Sequence, residues 1–569
     1  MFFLCLLIFV FLLLTFAASG IGFKRLLKVQ INEFNLITGY LLVIIIISIF
    51  KLKILSLLLI SIFVLIGCTK LNNKKNYFPL VLILLYLFHF LSLAFIDRTK
   101  VAPYFYELNK HYNLSSYQEF TVFLGDLFNL HNTVFTINIL TSLNIFISLY
   151  TIFEVLSLFF KKKKEYHLAC LLYLFFFTLL NSVNYLFFPY NAYQFIYYPF
   201  AGLMVYLLGI IPFQFGLFYI KDEKTLPLLL LINFASVYIY QESLLLQVLI
   251  NISFLFTLIF SKETKINYLK LFPLTTLIPL FVQLSIFKYP NIYTMVMLFI
   301  ILFFTGSIII ISKDLNHNKK LITNLYLLGL VISFLILISI NYREYLDQIF
   351  RFFDVLTQNR NLSFLLLTFY GFTFYSLLKI MRIKGKVREL FLIYPLIMVM
   401  LGSSIDVIPP SLILSAFPFV YLIIYAYLKK MVLLERVLVI LITLWVSSYI
   451  FNNIPYLHQT AQNGYYRVSN ATLLVHEYLS NNTEINNILV CDNLKNQLMM
   501  VTDKNMINDE LLEYTINDKI PFDVLYIIER LEELNIDAVV IDKDKLSKTD
   551  FELLSEDIIN LDYYIIYRF

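Results

Sequence analysis

Residues 437–460, VLVILITLWVSSYIFNNIPYLHQT, hold the last long apolar run of the chain and its end after Phe451. Upstream, such runs recur throughout. Downstream they stop and the charge changes sign. From Asn452 onward there are 20 acidic and 9 basic residues, a net of −11, which leaves +17 for the preceding part. The stretch divides the chain into an apolar part, residues 1–451, and an acidic part, residues 452–569.

The 569 residues are 60% hydrophobic and 14% charged, with a mean hydropathy of +0.78. A soluble core cannot enclose that much apolar surface, so lipid must solvate it. Apolar runs of about 15 to 27 residues, ended by Lys, Arg, Asn or Pro, match the thickness of hydrocarbon at about 1.5 Å rise per residue. They predict about sixteen spanning helices. The first eight are Phe2–Ala18, Leu36–Phe50, Ile54–Ile66, Phe78–Ile96, Val134–Phe160, Leu168–Leu180, Tyr198–Ile220 and Leu226–Tyr240, and the rest fall between Leu244 and Phe451. The second and third are short and also fit a re-entrant pair. The expected fold is an all-α polytopic membrane bundle with a small C-terminal extracytoplasmic α/β domain.

Basic residues in short loops stay on the cytoplasmic side. Alternate loops hold 26 and 9 basic residues; the richer set includes Lys24, Arg25 and Lys28, Lys161 to Lys164, and Lys379 to Arg388. That set is expected to be cytoplasmic, so both termini of a multi-pass plasma-membrane protein lie outside. The first segment has no basic residues before it and several after it, the pattern of a retained anchor rather than a cleaved signal. Cys5, Cys68, Cys170 and Cys491 are too scattered for a disulfide framework or a Cys/His metal cluster. No nucleic-acid partner is expected.

In the acidic part, Ile488–Cys491, Ala538–Ile541 and Tyr564–Tyr567 read as buried strands, while Phe522–Leu534 and Phe551–Ile559 have helical spacing. No glycine-rich turn follows a strand, so dinucleotide binding has no support. Two outside loops are long, residues 97–133 and 341–361. In the first, Tyr117, Phe120, Phe123, Leu124, Leu127 and Leu130 share a helical face; in the second, Tyr342, Tyr345, Ile349 and Phe353 do. Both predict amphipathic helices in the outer interface. A third loop, residues 181–197, is uncharged and rich in tyrosine and phenylalanine, including Tyr193. It reads as an interfacial aromatic belt that also suits stacking on sugar faces.

A carboxylate at the outer end of a helix, Asp97 after Phe95 and Ile96, is followed by a loop with amphipathic helices, and the chain ends in an acidic α/β tail. Residues 195–220, FIYYPFAGLMVYLLGIIPFQFGLFYI, with FASVYIYQES at 234–243, LEELNIDAVVIDK at 531–543 and YYIIYRF at 563–569, add local similarity. In this layout the chain resembles the GT-C superfamily of membrane glycosyltransferases, in an uncharacterised bacterial branch. It differs in having three helices before Phe78 and no paired Asp-x-Asp motif at Asp97.

The resemblance implies transfer of a sugar from a polyprenyl-phosphate donor to a cell-envelope glycan, lipid or protein. Asp97 would be the general base, with Glu107 the second candidate, because a base must reach the acceptor hydroxyl's proton. Arg98, Lys100, Arg343, Arg351 and Arg360 are the outside cations for the leaving phosphate, and Tyr104, Tyr106 and Tyr193 would line the sugar. No cofactor is required by this reading. A divalent cation is compatible with it, although His111 and His131 match no metal spacing. Asp97 with Arg98 also reads as an ordinary helix end, and Glu154, six residues before Phe160, as a side chain reaching the inner interface. The alternatives are an envelope lipid or polysaccharide transporter or flippase, another membrane polymerase or ligase, and a non-enzymatic scaffold.

Overall fold

A computed structural model of the protein describes residues 2–31, 33–50, 52–68, 80–84, 102–111, 114–174, 200–240, 271–279, 468–517, 523–545, 551–561 and 563–569, with isolated positions at 247, 250–251, 254, 282 and 519. Of the site residues expected from sequence, Asp97, Arg98, Lys100, Tyr193, Arg343, Arg351 and Arg360 lie outside the described residues. So do the loops at 181–197 and 341–361 and most spans after Tyr240.

In chain order the helices are α1 (Phe2–Leu26), α2 (Asn35–Phe50), α3 (Lys53–Cys68), α4 (Ala102–Lys110), α5 (Ser116–Leu127), α6 (Asn132–Phe159), α7 (163–174), α8 (Gly202–Ile220) and α9 (Leu226–Ile239). The acidic part contributes α10 (Asn470–Asn481), β1 (Asn487–Val490), α11 (Asp492–Met499), β2 (Asn505–Met506), α12 (Glu510–Ile516), α13 (Val524–Glu533), β3 (Ala538–Asp542), β4 (Asp557–Asn560) and β5 (Tyr564–Arg568). Three described helices are long and apolar enough to cross a membrane: Phe3–Leu26, α6 and α8.

The chain forms two compact units, Met1–Phe90 with Asn138–Leu457, and Leu91–Ile137 with His458–Phe569. The second unit includes the described residues of the loop at 97–133 together with those of the acidic tail.

In the first unit, α1 continues past the expected end at Ala18 to Leu26 and carries Lys24 and Arg25 with it. The glycines of these helices are points of close approach. A Cβ at Gly20 or Gly39 would overlap backbone of the partner helix between α1 and α2, and Gly22 and Gly67 do the same between α1 and α3. Small residues of this kind let helices meet where lipid supplies no hydrophobic drive between them. The side chain of Lys24 is buried and donates to the backbone carbonyls of Ile31 and Glu33 and to Asn35 Oδ1 at 2.9 Å, tying down the link to α2. Glu154 of α6 lies within electrostatic reach of Lys24. Helices α2 and α3, 16 residues each, rise about 24 Å, short of the roughly 30 Å of hydrocarbon.

Helix α8 widens to a π turn at Tyr206–Ile210, just before Pro212. Proline has no N–H and its ring crowds the carbonyl four residues back, so a wider turn there accommodates it. Beyond it lies a buried ring of amides. Gln214 Nε2 donates to Asn251 Oδ1 (2.7 Å), Asn251 Nδ2 and Gln247 Nε2 both donate to Asn233 Oδ1 (2.9 Å each), and Gln247 Nε2 also donates to Gln214 Oε1 (2.9 Å). Tyr206 donates to Gln247 Oε1 and Asn233 Nδ2 to the carbonyl of Thr275. The cluster joins α8, α9 and two later segments through groups that would otherwise be stranded away from water.

In the second unit the sheet order is β2-β1-β3-β5-β4, with β2, β1 and β3 parallel and β5 antiparallel to both β3 and β4. The strands expected at Ile488, Ala538 and Tyr564 are β1, β3 and β5, and the helix expected at Phe522–Leu534 is α13. The expected helix over Phe551–Ile559 is corrected: helical backbone ends at Glu552, a turn follows at 553–554, and Asp557–Asn560 is strand β4. Pairing of Ile558 and Ile559 with Tyr567 and Ile566 overrides the local spacing. Strands β1 and β3 are buried nearly throughout, as strands covered on both faces are. Around them Leu494, Leu498, Leu512, Ile516, Ile527, Leu531 and Phe551 complete one core. Side chains of Ser469, Asp509 and Asp523 cap α10, α12 and α13.

Asn233→Leu keeps the volume but strands donors on Gln247 and Asn251 and the carbonyl of Thr275. It is expected to lower the thermal midpoint of the detergent-purified protein by the equivalent of about 2 kcal/mol. An unchanged midpoint would contradict a structural role for the amide ring.

Candidate functional site at the loop helices and the strand ends

Helix α4 starts five residues after Asp97, with Pro103 in its first turn, where a missing N–H costs nothing. Ala102, Phe105, Leu108 and Asn109 form its buried face, whereas Pro103 and Glu107 are exposed. His111, with φ of 53°, ends it in the left-handed region.

The buried side of α4 is bonded to the α/β domain. The last turn of α11 leaves carbonyls without helical partners. Met500 O accepts from Asn109 Nδ2 at 3.1 Å and from the hydroxyl of Thr133, and Val501 O is 3.2 Å from His131 Nε2. Asn109 Nδ2 also reaches Thr133 Oγ1 at 3.3 Å. One turn away on α4, the hydroxyl of Tyr106 accepts from Met506 N at 2.7 Å. Met506 lies in β2, at the edge of the sheet, so Tyr106 satisfies an N–H that no strand pairs. Lys110 reaches the side chain of Asn505 and sits 4.8 Å above the Tyr106 ring.

Of the residues expected at the site, the structure therefore describes three. Tyr106 has its hydroxyl committed to the sheet edge. Tyr104 is half-buried, its ring edge-on to Phe105. Glu107 stands exposed on the face of α4 away from these bonds. Helix α5 exists as expected and is closed by a capping box at Ser115 and Gln118. Its burial is broader than one amphipathic face, since Gln118, Thr121, Val122 and Gly125 are buried with the aromatic residues while Leu127 is exposed.

Sequence reading missed His476 and Asp503. The rings of His131 and His476 lie 6.4 Å apart, edge to face. Both nitrogens of His131 face backbone groups, Nε2 the carbonyl of Val501 and Nδ1 the N–H of Thr133 at 3.4 Å, which suits the neutral ring protonated on Nε2. Burial holds its pKa below the ordinary value, against the carbonyl of Val501 and the charge of Asp503, which favour the cation. Burial and the charge of His131 do the same to His476.

A second cluster lies where β1 and β3 end. The chain leaves β1 toward β2 on one side and β3 pairs on the other, the reversal at which open α/β sheets form a crevice. Its side chains satisfy one another: Asn493 Nδ2 reaches Asp542 Oδ2 at 3.3 Å, Lys519 pairs with Asp492 at 2.8 Å, and Lys545 donates to the carbonyl of Asn517. Burial pushes the Cys491 thiol up to about 11 and the Tyr564 phenol up to about 12, so both are neutral at physiological pH. Among the described residues no group of three His, Cys, Asp or Glu side chains is placed to hold a metal ion.

The α4 contact is open to two measurements. Asn109→Leu removes one of the two donors to Met500 O, leaving it the hydroxyl of Thr133, and is expected to speed hydrogen exchange of the α4 amides about tenfold; exchange equal to wild type would contradict the bonding described. A histidine whose folded pKa is depressed contributes stability that is present above its unfolded value, about 6.5, and lost as pH falls through the folded value. Acidification below about pH 6.5 should therefore lower the thermal midpoint, and His131→Gln with His476→Gln should flatten that dependence. An equal slope in the double variant would exclude this pair as its cause.

No protein-family model and no curated protein matches the sequence.

Proposed function

We propose that the chain is a membrane glycosyltransferase of GT-C type, with about sixteen spanning helices, both termini outside, and the loop at 97–133 sharing the extracytoplasmic side with the acidic domain. It moves a sugar from a polyprenyl-phosphate donor to a cell-envelope acceptor. The single observation that carries this reading is that Leu91–Ile137 and His458–Phe569 form one compact unit, joined through Met500, Val501 and Met506. Asp97 precedes a helix anchored on one face and presenting Glu107 on the other.

In the proposed reaction the carboxylate of Asp97 takes the proton of the acceptor hydroxyl as its oxygen bonds to the anomeric carbon. The bond from that carbon to the donor phosphate breaks. The departing lipid phosphate keeps the electron pair, and its charge is met by cations among Arg98, Lys100, Arg343, Arg351 and Arg360. Tyr104 is the described aromatic residue best suited to line the sugar, because the hydroxyl of Tyr106 already serves the sheet edge.

The transporter reading calls for polar groups within the bundle. Gln214, Asn233, Gln247 and Asn251 are such groups, but they are bonded to one another, which favours an interhelical clasp over a passage.

The test is transfer of labelled sugar from polyprenyl-phosphate donors by the purified chain in liposomes. Asp97→Asn is expected to lower the rate by about 100-fold or more, and Glu107→Gln much less. Equal rates for wild type and Asp97→Asn would remove Asp97 as the base, whereas label crossing the bilayer without transfer would favour the transporter.

A further inference from the structure

Helix α6 ends at Phe159, and four consecutive lysines, Lys161 to Lys164, lead into α7. All four are exposed. Lys162 pairs with Glu165 at 3.3 Å, but its side chain is 82% exposed, so solvent screens the pair strongly. Across residues 161–165 a surplus of three positive charges remains.

The next two turns of α7 indicate what these ammonium groups meet. Ala169, Cys170 and Tyr173 are fully buried, whereas Leu168 and Leu171 are 37% and 45% exposed. Lys164, Leu168 and Leu171 are spaced i, i+4, i+7 and share one outward stripe, which changes from charged to apolar within one turn. Exposed leucines recur on the outward side of α3, at Leu55, Leu58 and Leu65, as expected of surfaces solvated by lipid tails. A stripe that is apolar on one side and cationic on the other marks the level where tails give way to headgroups.

We propose that Lys161–Lys164, with Leu168 and Leu171, form a docking surface for anionic phospholipid, the ammonium groups on the headgroup phosphates and the leucines against the acyl chains. The inference rests on the membrane reading alone and is independent of sugar transfer. The orientation expected from the loop charges makes the inner leaflet the source of the lipid, and each lysine near an anionic surface contributes roughly a fivefold preference.

The test titrates the purified full chain with phosphatidylglycerol or phosphatidylcholine and counts bound lipid by native mass spectrometry. Wild type is expected to prefer phosphatidylglycerol. The quadruple Lys→Gln variant at 161–164 should lose at least about tenfold of that preference, while the quadruple Lys→Arg variant keeps it. Lys504→Gln with Lys543→Gln, both in the acidic domain expected on the opposite side, serves as a control that should change it little. Gel-filtration profiles matching wild type establish that the variants fold. Equal preference in wild type and the 161–164 Gln variant, or the same loss in the control, would overturn the proposal. So would displacement of the lipid by inorganic phosphate alone, which would reduce the site to a free-phosphate site.

Discussion

A polar group that leaves water must find its partner within the chain, and the described structure is arranged around that requirement. In the first unit it is met by the amide ring of Gln214, Asn233, Gln247 and Asn251 and by Lys24, whose ammonium group gathers two backbone carbonyls and Asn35. In the second unit the same need decides which segments belong together. Met500 O and Val501 O, left over at the end of α11, and Met506 N, left over at the sheet edge, are satisfied by Asn109, Thr133, His131 and Tyr106. Those bonds tie α4 and His131–Thr133 to residues 500–506.

Close packing in the helical unit has a different origin. Between lipid-solvated helices apolar contact is worth no more than contact with lipid, so approach distance matters more than hydrophobicity. Gly20, Gly22, Gly39 and Gly67 provide it by removing the side chains that would keep α1 from α2 and α3. The two short helices are thereby held against a long one that is itself able to cross a membrane.

In the acidic domain, burial separates strands that carry the core from strands that close the sheet. β1, β3 and β5 have almost uninterrupted buried runs, while β4 at one edge is mostly exposed and β2 at the other has two residues. Asp557 opens β4 and Glu556 immediately precedes it, in keeping with the use of charge to keep an exposed edge from pairing with another chain. The β2 edge is covered through Tyr106.

The sequence by itself determined the division into an apolar and an acidic part, the helices around the first eight apolar runs that the structure describes, and the three strands of the core. Each depends on composition or on periodicity within a few residues, which a linear chain displays directly. Glu107 and Tyr104 entered as candidates through the family resemblance rather than through composition or periodicity. Only the tertiary structure decided that α1 runs on through its glycines, that Asp557–Asn560 is a strand, that Tyr106 serves the sheet edge, and that His131 faces His476. It alone joined residues near 105 to residues near 500. Such pairings link groups hundreds of positions apart, and a carbonyl left over at the end of α11 looks in sequence like every other carbonyl until the fold strands it.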